Sequence, residues 1–256
     1  MTVLSLVGLV AFAGLAAYMQ TVTGFAMGLV MMGGMGLTGI LRLPDAAVLV
    51  SILTLSNALQ VLARGWRDVA WYEFRLVIVP SILTLFLGYL VLEVLAGSSL
   101  DWVRLVLGVV IVASSIQLLS KPHPLPERSA APSFVVFGAV AGVMGGLFST
   151  SGPPLVYHLY RQPLRHVSVR ETLVLVFAVN AVVRLATVAA SNNLPPLSTW
   201  WTLIAVPVVA LFTFMARRWP PPVSVLTLRR GAFALLLLSG LSLGLPAVFR
   251  LIGAHS

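Results

Sequence analysis

Residues 149–154 read Ser149-Thr150-Ser151-Gly152-Pro153-Pro154, and they interrupt an apolar segment that extends from 132 to 160. Small hydroxyl residues followed by a glycine and two prolines are typical of a helix break, because each proline removes a backbone N–H that an α-helix needs. The segment is also longer than the roughly 20 residues that cross a bilayer. It is therefore predicted to fold as two helices with a break between them.

The first apolar segment, from 3 to 40, is also too long for a single crossing. A straight helix of about 38 residues would measure near 57 Å at ~1.5 Å per residue, whereas the hydrocarbon core is ~30 Å thick. Hydroxyl residues and a glycine again favour a helix break within this segment. They lie in the sequence Gln20-Thr21-Val22-Thr23-Gly24. This segment is predicted to break there.

The composition of the whole chain predicts an all-α polytopic membrane protein. Of its 256 residues, 59% are hydrophobic and only 9% are charged, whereas soluble domains carry about 25% charged residues. The net charge of +9 is interpreted as a guide to orientation in the membrane, so no nucleic-acid partner is predicted. The eight apolar segments are 3–40, 44–63, 74–96, 102–120, 132–160, 168–190, 200–216 and 229–249.

Four matches in chain order indicate that the chain is an internal duplication. They pair Thr23-Gly24-Phe25-Ala26 with Ser151-Gly152-Pro153-Pro154, Arg42 and Asn57 with Arg165 and Asn180, Pro80 with Pro207, and Arg104 with Arg230. The partners stand about 125 residues apart throughout, which is typical of a repeat. We expect a first repeat of four segments at 1–120, a Pro-rich cytoplasmic linker at 121–131 and a second repeat of four segments at 132–256.

The distribution of Arg and Lys predicts how the repeats lie in the membrane. If both broken segments turn back as re-entrant helical hairpins, twelve of the sixteen Lys and Arg residues collect on one face, leaving Arg42, Arg104, Arg250 and the intramembrane Arg184 apart. Such a partition obeys the positive-inside rule, whereas eight simple crossings give a poorer one. Each half then crosses an odd number of times, so the repeats are predicted to be inverted, with both termini periplasmic.

The two breaks are the predicted substrate site, because backbone groups freed at a break need protein or a water-filled cavity around them. Half-helix N-termini that meet at one point favour an anion. The predicted binding residues at the breaks are Gln20, Thr21, Thr23, Gly24, Ser149, Thr150, Ser151, Gly152 and Pro153. In the alternative interpretation, the hydroxyls bond their own helix carbonyls and the glycines only permit close packing.

Three polar residues inside other segments extend the predicted site. Asn57 and Asn180 occupy equivalent places in the two repeats, and Arg184 follows Asn180 by one turn. An intramembrane arginine is costly, by about 2.5–3.5 kcal/mol on insertion scales. Arg184 is interpreted either as a counter-charge for an anionic substrate or as a side chain that snorkels to the interface; its equivalent in the first repeat is Val61.

His158 is the interior candidate for proton coupling, although a hydrogen bond to a carbonyl is the favoured explanation for it. The chain has four histidines and no cysteine, and the histidine spacing forms no metal cluster. No nucleophile arrangement or nucleotide-binding loop is present. Neither a metal, nor a cofactor, nor an enzymatic activity is therefore predicted.

The two break sequences resemble the paired signatures of the TauE/SafE sulfite exporter family, also called the toluene sulfonate uptake permease family. The second signature is the more specific, and it comprises Gly138-x3-Gly142-x2-Gly145-Gly146-Leu147-Phe148 together with residues 149–155. The resemblance covers essentially the whole chain. One departure is Ala26, where the family usually continues Gly-Phe-Gly.

The resemblance implies transport of a sulfur oxyanion or organosulfonate across a bacterial inner membrane. We therefore expect a multi-pass secondary transporter whose small anionic substrate is held between the two breaks. Transport of another small organic anion, and a non-catalytic role as the membrane subunit of a larger complex, are the alternatives. Substrate identity, direction, coupling ion and oligomeric state are not encoded visibly.

Overall fold

The computed structural model describes residues 3–98, 100–119, 125–150, 152–219 and, nearer the end of the chain, 237, 241, 244, 245 and 247–249. Every regular element within these residues is helical. The predicted all-α class is thereby confirmed. Most of the eighth apolar segment, 229–249, and the linker residues 121–124 lie outside the described residues.

Nine α-helices are described. They are α1 Val3–Thr23, α2 Met27–Thr38, α3 Leu43–Gly65, α4 Trp71–Ser98, α5 Leu100–Leu119, α6 Ala131–Phe148, α7 Pro153–Tyr160, α8 His166–Ala190 and α9 Ala205–Arg218. Two 3₁₀ helices complete the described part, Trp66–Asp68 after α3 and Leu197–Ile204 before α9. The seventh apolar segment thus begins as a 3₁₀ helix that follows Pro195 and Pro196, where proline cannot donate α-helical hydrogen bonds.

Six spans among the described residues are long and apolar enough to cross a membrane. Their bounds are Ser5–Thr23, Leu43–Asp68, Trp71–Leu95, Ala131–Phe148, His166–Ala190 and Leu197–Arg218. The chain is therefore a multi-pass membrane protein. The shorter α2 and α7 follow the two predicted breaks, each of which separates two helices at the expected place.

The helices of one half pack chiefly against those of the other half. α1 packs against α9, α6 packs against α4, and α3 and α8 contact each other at the centre. α3 also contacts α9, and α8 contacts α4 in the same way. The predicted breaks, which follow α1 and α6, are thus surrounded by helices from both halves of the chain.

The α4–α6 contact depends on glycine. Gly138, Gly142 and Gly146 lie along one face of α6, and a Cβ at any of them would collide with the backbone of α4, at Val77 and Leu85 among others. Small residues four apart allow two helix backbones to approach closely, which is how membrane helices associate where the hydrophobic effect gives no drive. The glycine pattern of the second signature therefore forms a helix interface.

Each short helix returns alongside the helix before it. A Cβ on Gly8 near the start of α1 would lie 3.6 Å from Ile40 Cδ1, just beyond the end of α2. In the second half, the backbone N–H of Leu125 donates to the carbonyl of Arg161 at 2.8 Å, so the approach to α6 lies beside the end of α7. In each half, the two ends of the broken segment therefore come close to each other.

Candidate functional site

The first break comprises residues 24–26, where the backbone leaves the helical conformation. Gly24 has φ of 78° and Ala26 has φ of 112°. Gln20 remains in the last turn of α1, and its Oε1 accepts a hydrogen bond from the N–H of Met27 at 3.1 Å. The side chain of Gln20 therefore occupies one of the backbone donors at the start of α2, while its buried Nε2 finds no partner among the described residues.

The hydroxyls of the first break bond nearby carbonyls. Thr21 Oγ1 donates to the carbonyl of Ala17 at 2.7 Å, and Thr23 Oγ1 lies 2.7 Å from the carbonyl of Met19. Such bonds to the preceding turn are the alternative that the sequence left open. Thr21 Oγ1 nevertheless keeps its lone pairs available, since a hydroxyl both donates and accepts.

The second break extends from Ser149 to Gly152, of which Ser151 lies outside the described residues. Ser149 has φ of 56° and its N–H donates to the carbonyl of Gly145 at 2.9 Å, which ends α6. Gly152 has φ of 74°, and a Cβ there would also meet the sulfur of Met144. Pro153 and Pro154 open α7 and supply no N–H, so hydroxyls are the more available donors at this break.

The two breaks touch. A Cβ on Gly28, in the first turn of α2, would lie 3.0 Å from the carbonyl oxygen of Ser149 and would also collide with Thr150. The Ser149 hydroxyl in addition hydrogen-bonds the hydroxyl of Ser51, which is fully buried on α3. Residues from α2, α3 and the second break therefore come together at one place.

Asn57 joins three helices beside the first break. Its Nδ2 donates to Thr21 Oγ1 on α1 and to Thr213 Oγ1 on α9, both at 2.8 Å. The side chain is fully buried, and within the described residues its Oδ1 has no hydrogen-bond partner. Asn57 is thus a buried amide that bonds Thr21, another residue of the predicted site.

Asn180 occupies the corresponding place on α8. Its Nδ2 donates to Ser81 Oγ on α4 at 2.8 Å, and its side chain is buried. Ser81 follows Pro80 directly, and Thr213 lies near the middle of α9. Each asparagine therefore bonds a hydroxyl on the third apolar segment of the opposite half.

Arg184 lies inside the protein, with 1% of its surface exposed. Its Nη1 donates to the carbonyl of Gly146, one of the last carbonyls of α6, and its guanidinium carbon lies 5.8 Å from the ring centre of Tyr89. A cation at a helix C-terminus stabilises unpaired carbonyls there. Arg184 thus fastens the end of α6 immediately before the second break, and it does not extend to the surface.

His158 stands apart from the contact between the breaks. Its ring stacks on Phe137 with centroids 4.3 Å apart and meets the edge of Phe134 at 4.8 Å. Ser133 Oγ lies 3.2 Å from His158 Nε2. These neighbours all come from the beginning of α6, so His158 holds α7 against the first turns of α6.

The first break contacts the start of α8, which the sequence did not predict. Gly24 lies against the backbone of Arg170, and a Cβ there would come within 2.9 Å of Arg170 Cα. The Arg170 guanidinium pairs with buried Glu171 at 2.6 Å, and Thr172 Oγ1 accepts from the N–H of Ala70 at 2.9 Å. In the sequence, Arg170 and Glu171 are only a charged pair at the start of the sixth apolar segment, which gives no signal of a contact with Gly24.

Ser51, Ser81 and Thr213 were also missed. Single hydroxyls in apolar helices carry little signal, because they usually bond the preceding turn of their own helix. Within the described residues no three His, Asp or Glu side chains come together as possible metal ligands.

These features define a multi-pass helical membrane protein with two helix breaks in mutual contact. The family described as "Sulfite exporter TauE/SafE" matches residues 9–243. The chain therefore belongs to the TauE/SafE sulfite exporter family, a family of membrane transporters, and the predicted family is confirmed.

One curated relative is the "Probable sulfite/organosulfonate exporter TauE" of Cupriavidus necator. It is 38% identical over 245 residues, which are 96% of this chain and 96% of the relative. No solved structure matches the chain.

Proposed function

We propose that this protein is a secondary transporter that moves a small sulfur-containing anion, such as sulfite or an organosulfonate, across the bacterial inner membrane. The observation that carries the proposal is the contact of the two breaks, Gly28 against Ser149 and Thr150, with buried amides beside it. Family membership and the relative's name support the substrate class.

The transporter consists of two inverted repeats, 1–120 and 132–256, joined by a cytoplasmic linker at 121–131. Support comes from the equivalent helices α3 and α8, which begin one residue after Arg42 and Arg165 respectively. Arg165 Nη1 also lies 3.5 Å from Asp68 Oδ1, so the end of α3 lies beside the start of α8. The open end of the α6–α7 hairpin is therefore near the end of α3, whereas that of the α1–α2 hairpin is near its start.

Both broken segments are re-entrant hairpins in this proposal. The return helix α2 has 12 residues, which reach about 18 Å at ~1.5 Å per residue, less than the ~30 Å core. α1 alone is long enough to cross, but its contact with the end of α2 begins only at Gly8. The tip of the hairpin thus lies within the membrane, and both chain termini are periplasmic.

The substrate binds where the breaks now meet, so the hairpin tips must separate to admit it. Gln20 Nε2 is a buried donor with no partner among the described residues, and oxyanion oxygens accept such donors. The binding residues are Gln20, Thr21, Thr23, Gly24, Asn57, Ser149, Thr150, Ser151, Gly152, Pro153, Asn180 and Arg184. Separation of the tips toward alternate faces gives alternating access, as in other transporters with inverted repeats.

Flux into proteoliposomes that contain only this chain tests the function, with sulfite, sulfoacetate and taurine supplied in turn. Asn57→Ala, Asn180→Ala and Gly152→Val should each lower flux without preventing membrane insertion. The control is Ser198→Ala, because Ser198 is exposed in the 3₁₀ helix that precedes α9 and is not one of the proposed binding residues. Normal flux in all three site variants would contradict the proposed site.

The same assay separates the other roles. A non-catalytic subunit of a larger complex would show no flux alone, and a transporter of another organic anion would reject the sulfur compounds but move a carboxylate. We propose no enzymatic activity and no cofactor for the chain. Flux of sulfur anions by the purified chain alone supports the secondary transporter.

His158 remains our candidate for proton coupling, although its aromatic neighbours favour a structural role. If a proton moves with the substrate through His158, His158→Gln should remove the pH dependence of net flux while exchange of substrate for substrate persists. Thermal stability of the same variant is the control. Proton-driven accumulation that survives in His158→Gln would assign the coupling elsewhere.

A further inference from the structure

A cavity of about 470 Å³ opens between the C-terminal ends of α3 and α9. It is lined by Gln60, Ala63, Arg64, Phe214, Arg217 and Arg218. Such a volume falls within the range of about 300–1,000 Å³ that small-molecule sites occupy. Three of its six lining residues are arginines, and none of the six is acidic.

The arginines come from two different helices. Arg64 lies in the last turn of α3, and Arg217 and Arg218 lie in the last turn of α9. Arg217 Nη1 donates to the carbonyl of Gln60 and lies 3.3 Å from that of Val61, so this guanidinium holds the two helix ends together. The side chains of Arg64 and Arg218 are exposed at the cavity.

The cavity lies close to the buried hydrogen bonds that Asn57 makes. Gln60 is one turn beyond Asn57 on α3, and Arg217 is one turn beyond Thr213 on α9. Asn57 hydrogen-bonds Thr213 and also Thr21, which lies in the last turn of α1. The cavity therefore lies one helical turn from the hydrogen-bonded side chains of Asn57, Thr21 and Thr213.

We infer that this cavity is an anion-binding vestibule, through which the substrate reaches Asn57. Its ligand is a singly or doubly charged oxyanion such as a sulfonate, and the phosphate of a lipid headgroup, which has the same chemistry, is the competing occupant. Clefts lined by one sign of charge raise the local concentration of the opposite ion. The corresponding end of α4 and α8 is different, because Leu87, Leu90 and Val91 replace the lining residues of α9. This inference rests on the proposed function for the identity of the ligand.

The test measures the local potential without requiring transport. The chain has no cysteine, so Ala63→Cys introduces one thiol at the cavity. Its reaction rates with 2-sulfonatoethyl methanethiosulfonate and with the trimethylammonium analogue are compared in phosphatidylcholine nanodiscs. The ratio of the anionic to the cationic rate should fall about three- to tenfold on adding Arg64→Gln or Arg218→Gln. Ethanesulfonate should slow the labelling.

Arg67→Gln is the matched control, because Arg67 lies just beyond α3 and packs over Trp66, outside the cavity. If Arg67→Gln lowers the ratio of labelling rates equally, the ratio reflects general surface charge and the vestibule is overturned. Nanodiscs that contain phosphatidylglycerol separate the two ligand sources. If that lipid removes the anionic preference and ethanesulfonate gives no protection, the cavity holds a lipid headgroup and the inference fails.

The outcomes separate this inference from the proposed function. Selective labelling in a protein that moves no sulfur anion would leave the vestibule standing and overturn the transport proposal. Flux of a sulfur anion that depends on Asn57, combined with labelling that shows no preference for the anionic reagent, would support the transport proposal and overturn the vestibule.

Discussion

At Ala26 the backbone has φ of 112°, a value that side chains other than glycine rarely adopt. The residue is 5% exposed and directly precedes α2, so the chain cannot relax there without moving the hairpin tip. The family pattern Gly-Phe-Gly places a glycine at this position. The structure thus supplies the physical reason for that glycine, which the sequence shows only as a departure.

Ala26→Gly should stabilise the protein, because glycine removes strain of about 1 kcal/mol at a positive φ. The thermal midpoint in detergent should rise. Ala16→Gly is the control: Ala16 is buried within the helix α1, where glycine costs about 1 kcal/mol. A lower midpoint for Ala26→Gly would show that this backbone is not strained.

Arg184 could be singled out from the sequence because a charge inside an apolar segment is costly. The hydrogen-bond partner of Arg184 could not be predicted from the sequence, since Gly146 lies 38 residues away and contributes only a backbone carbonyl. The sequence left two interpretations of Arg184, as a counter-charge for an anionic substrate or as a side chain that snorkels to the membrane interface. The end of α6 is a third possibility, visible only once α6 and α8 are placed together.

Arg184→Met should lower the thermal midpoint, because it leaves the buried Gly146 carbonyl without its donor, a loss of about 1–3 kcal/mol. Arg184→Lys should recover the stability only in part, since an ammonium lacks the planar fork. Arg67→Met, at an exposed site, controls for lost charge. If Arg184→Met keeps wild-type stability and raises only the KM for sulfite, Arg184 acts on substrate and not on α6.

At the scale of the helix, the sequence predicted both breaks because glycine, proline and hydroxyl residues act locally on the backbone. It did not predict the 3₁₀ helix Leu197–Ile204, because a hydrophobic pattern does not distinguish a short 3₁₀ helix from an α-helix. It also left the glycines of α6 without a partner helix. Helix partners depend on tertiary packing, which a local pattern does not contain.

Gly142→Ala should destabilise the α4–α6 contact, because its Cβ would collide with the Ser81 carbonyl and the Thr84 hydroxyl. Overpacking of this kind costs about 1–3 kcal/mol. Gly8→Ala is the matched control, since its Cβ would lie 3.6 Å from Ile40 Cδ1, an ordinary contact, so it should be neutral or stabilising. Thermal unfolding in detergent measures both. Equal stability of the two variants would exclude a close backbone contact at Gly142.

At the scale of the whole molecule, composition was enough to predict a multi-pass helical protein, because few arrangements can bury so much apolar surface. The four sequence matches predicted equivalent positions for Asn57 and Asn180. They could not predict that the partners of these asparagines, Thr213 and Ser81, come from the opposite halves. That exchange depends on how the halves pack, which a local sequence pattern does not contain.

The proposed topology predicts the sides of the membrane from which single cysteines react. Glu127→Cys and His166→Cys should both react with a membrane-impermeant maleimide only from the cytoplasm, because they flank the two ends of one re-entrant hairpin. Thr38→Cys, at the end of α2, should react only from the periplasm, as the positive-inside rule requires for inverted repeats. All three side chains are exposed, and the unsubstituted chain, which has no cysteine, is the blank.

Reporter fusions at residues 1, 125 and 256 give an independent measurement. A fluorescent protein should be bright at 125, and alkaline phosphatase should be active at 1 and 256, two residues that lie outside the described part of the chain. If residues 131–160 crossed the membrane once, Glu127→Cys and His166→Cys would instead react from opposite sides. Such a result would contradict the hairpin model, because the two ends of a hairpin must lie on the same side of the membrane. It would also place Arg161, Arg165 and Arg170 on the face where the positive-inside rule disfavours them.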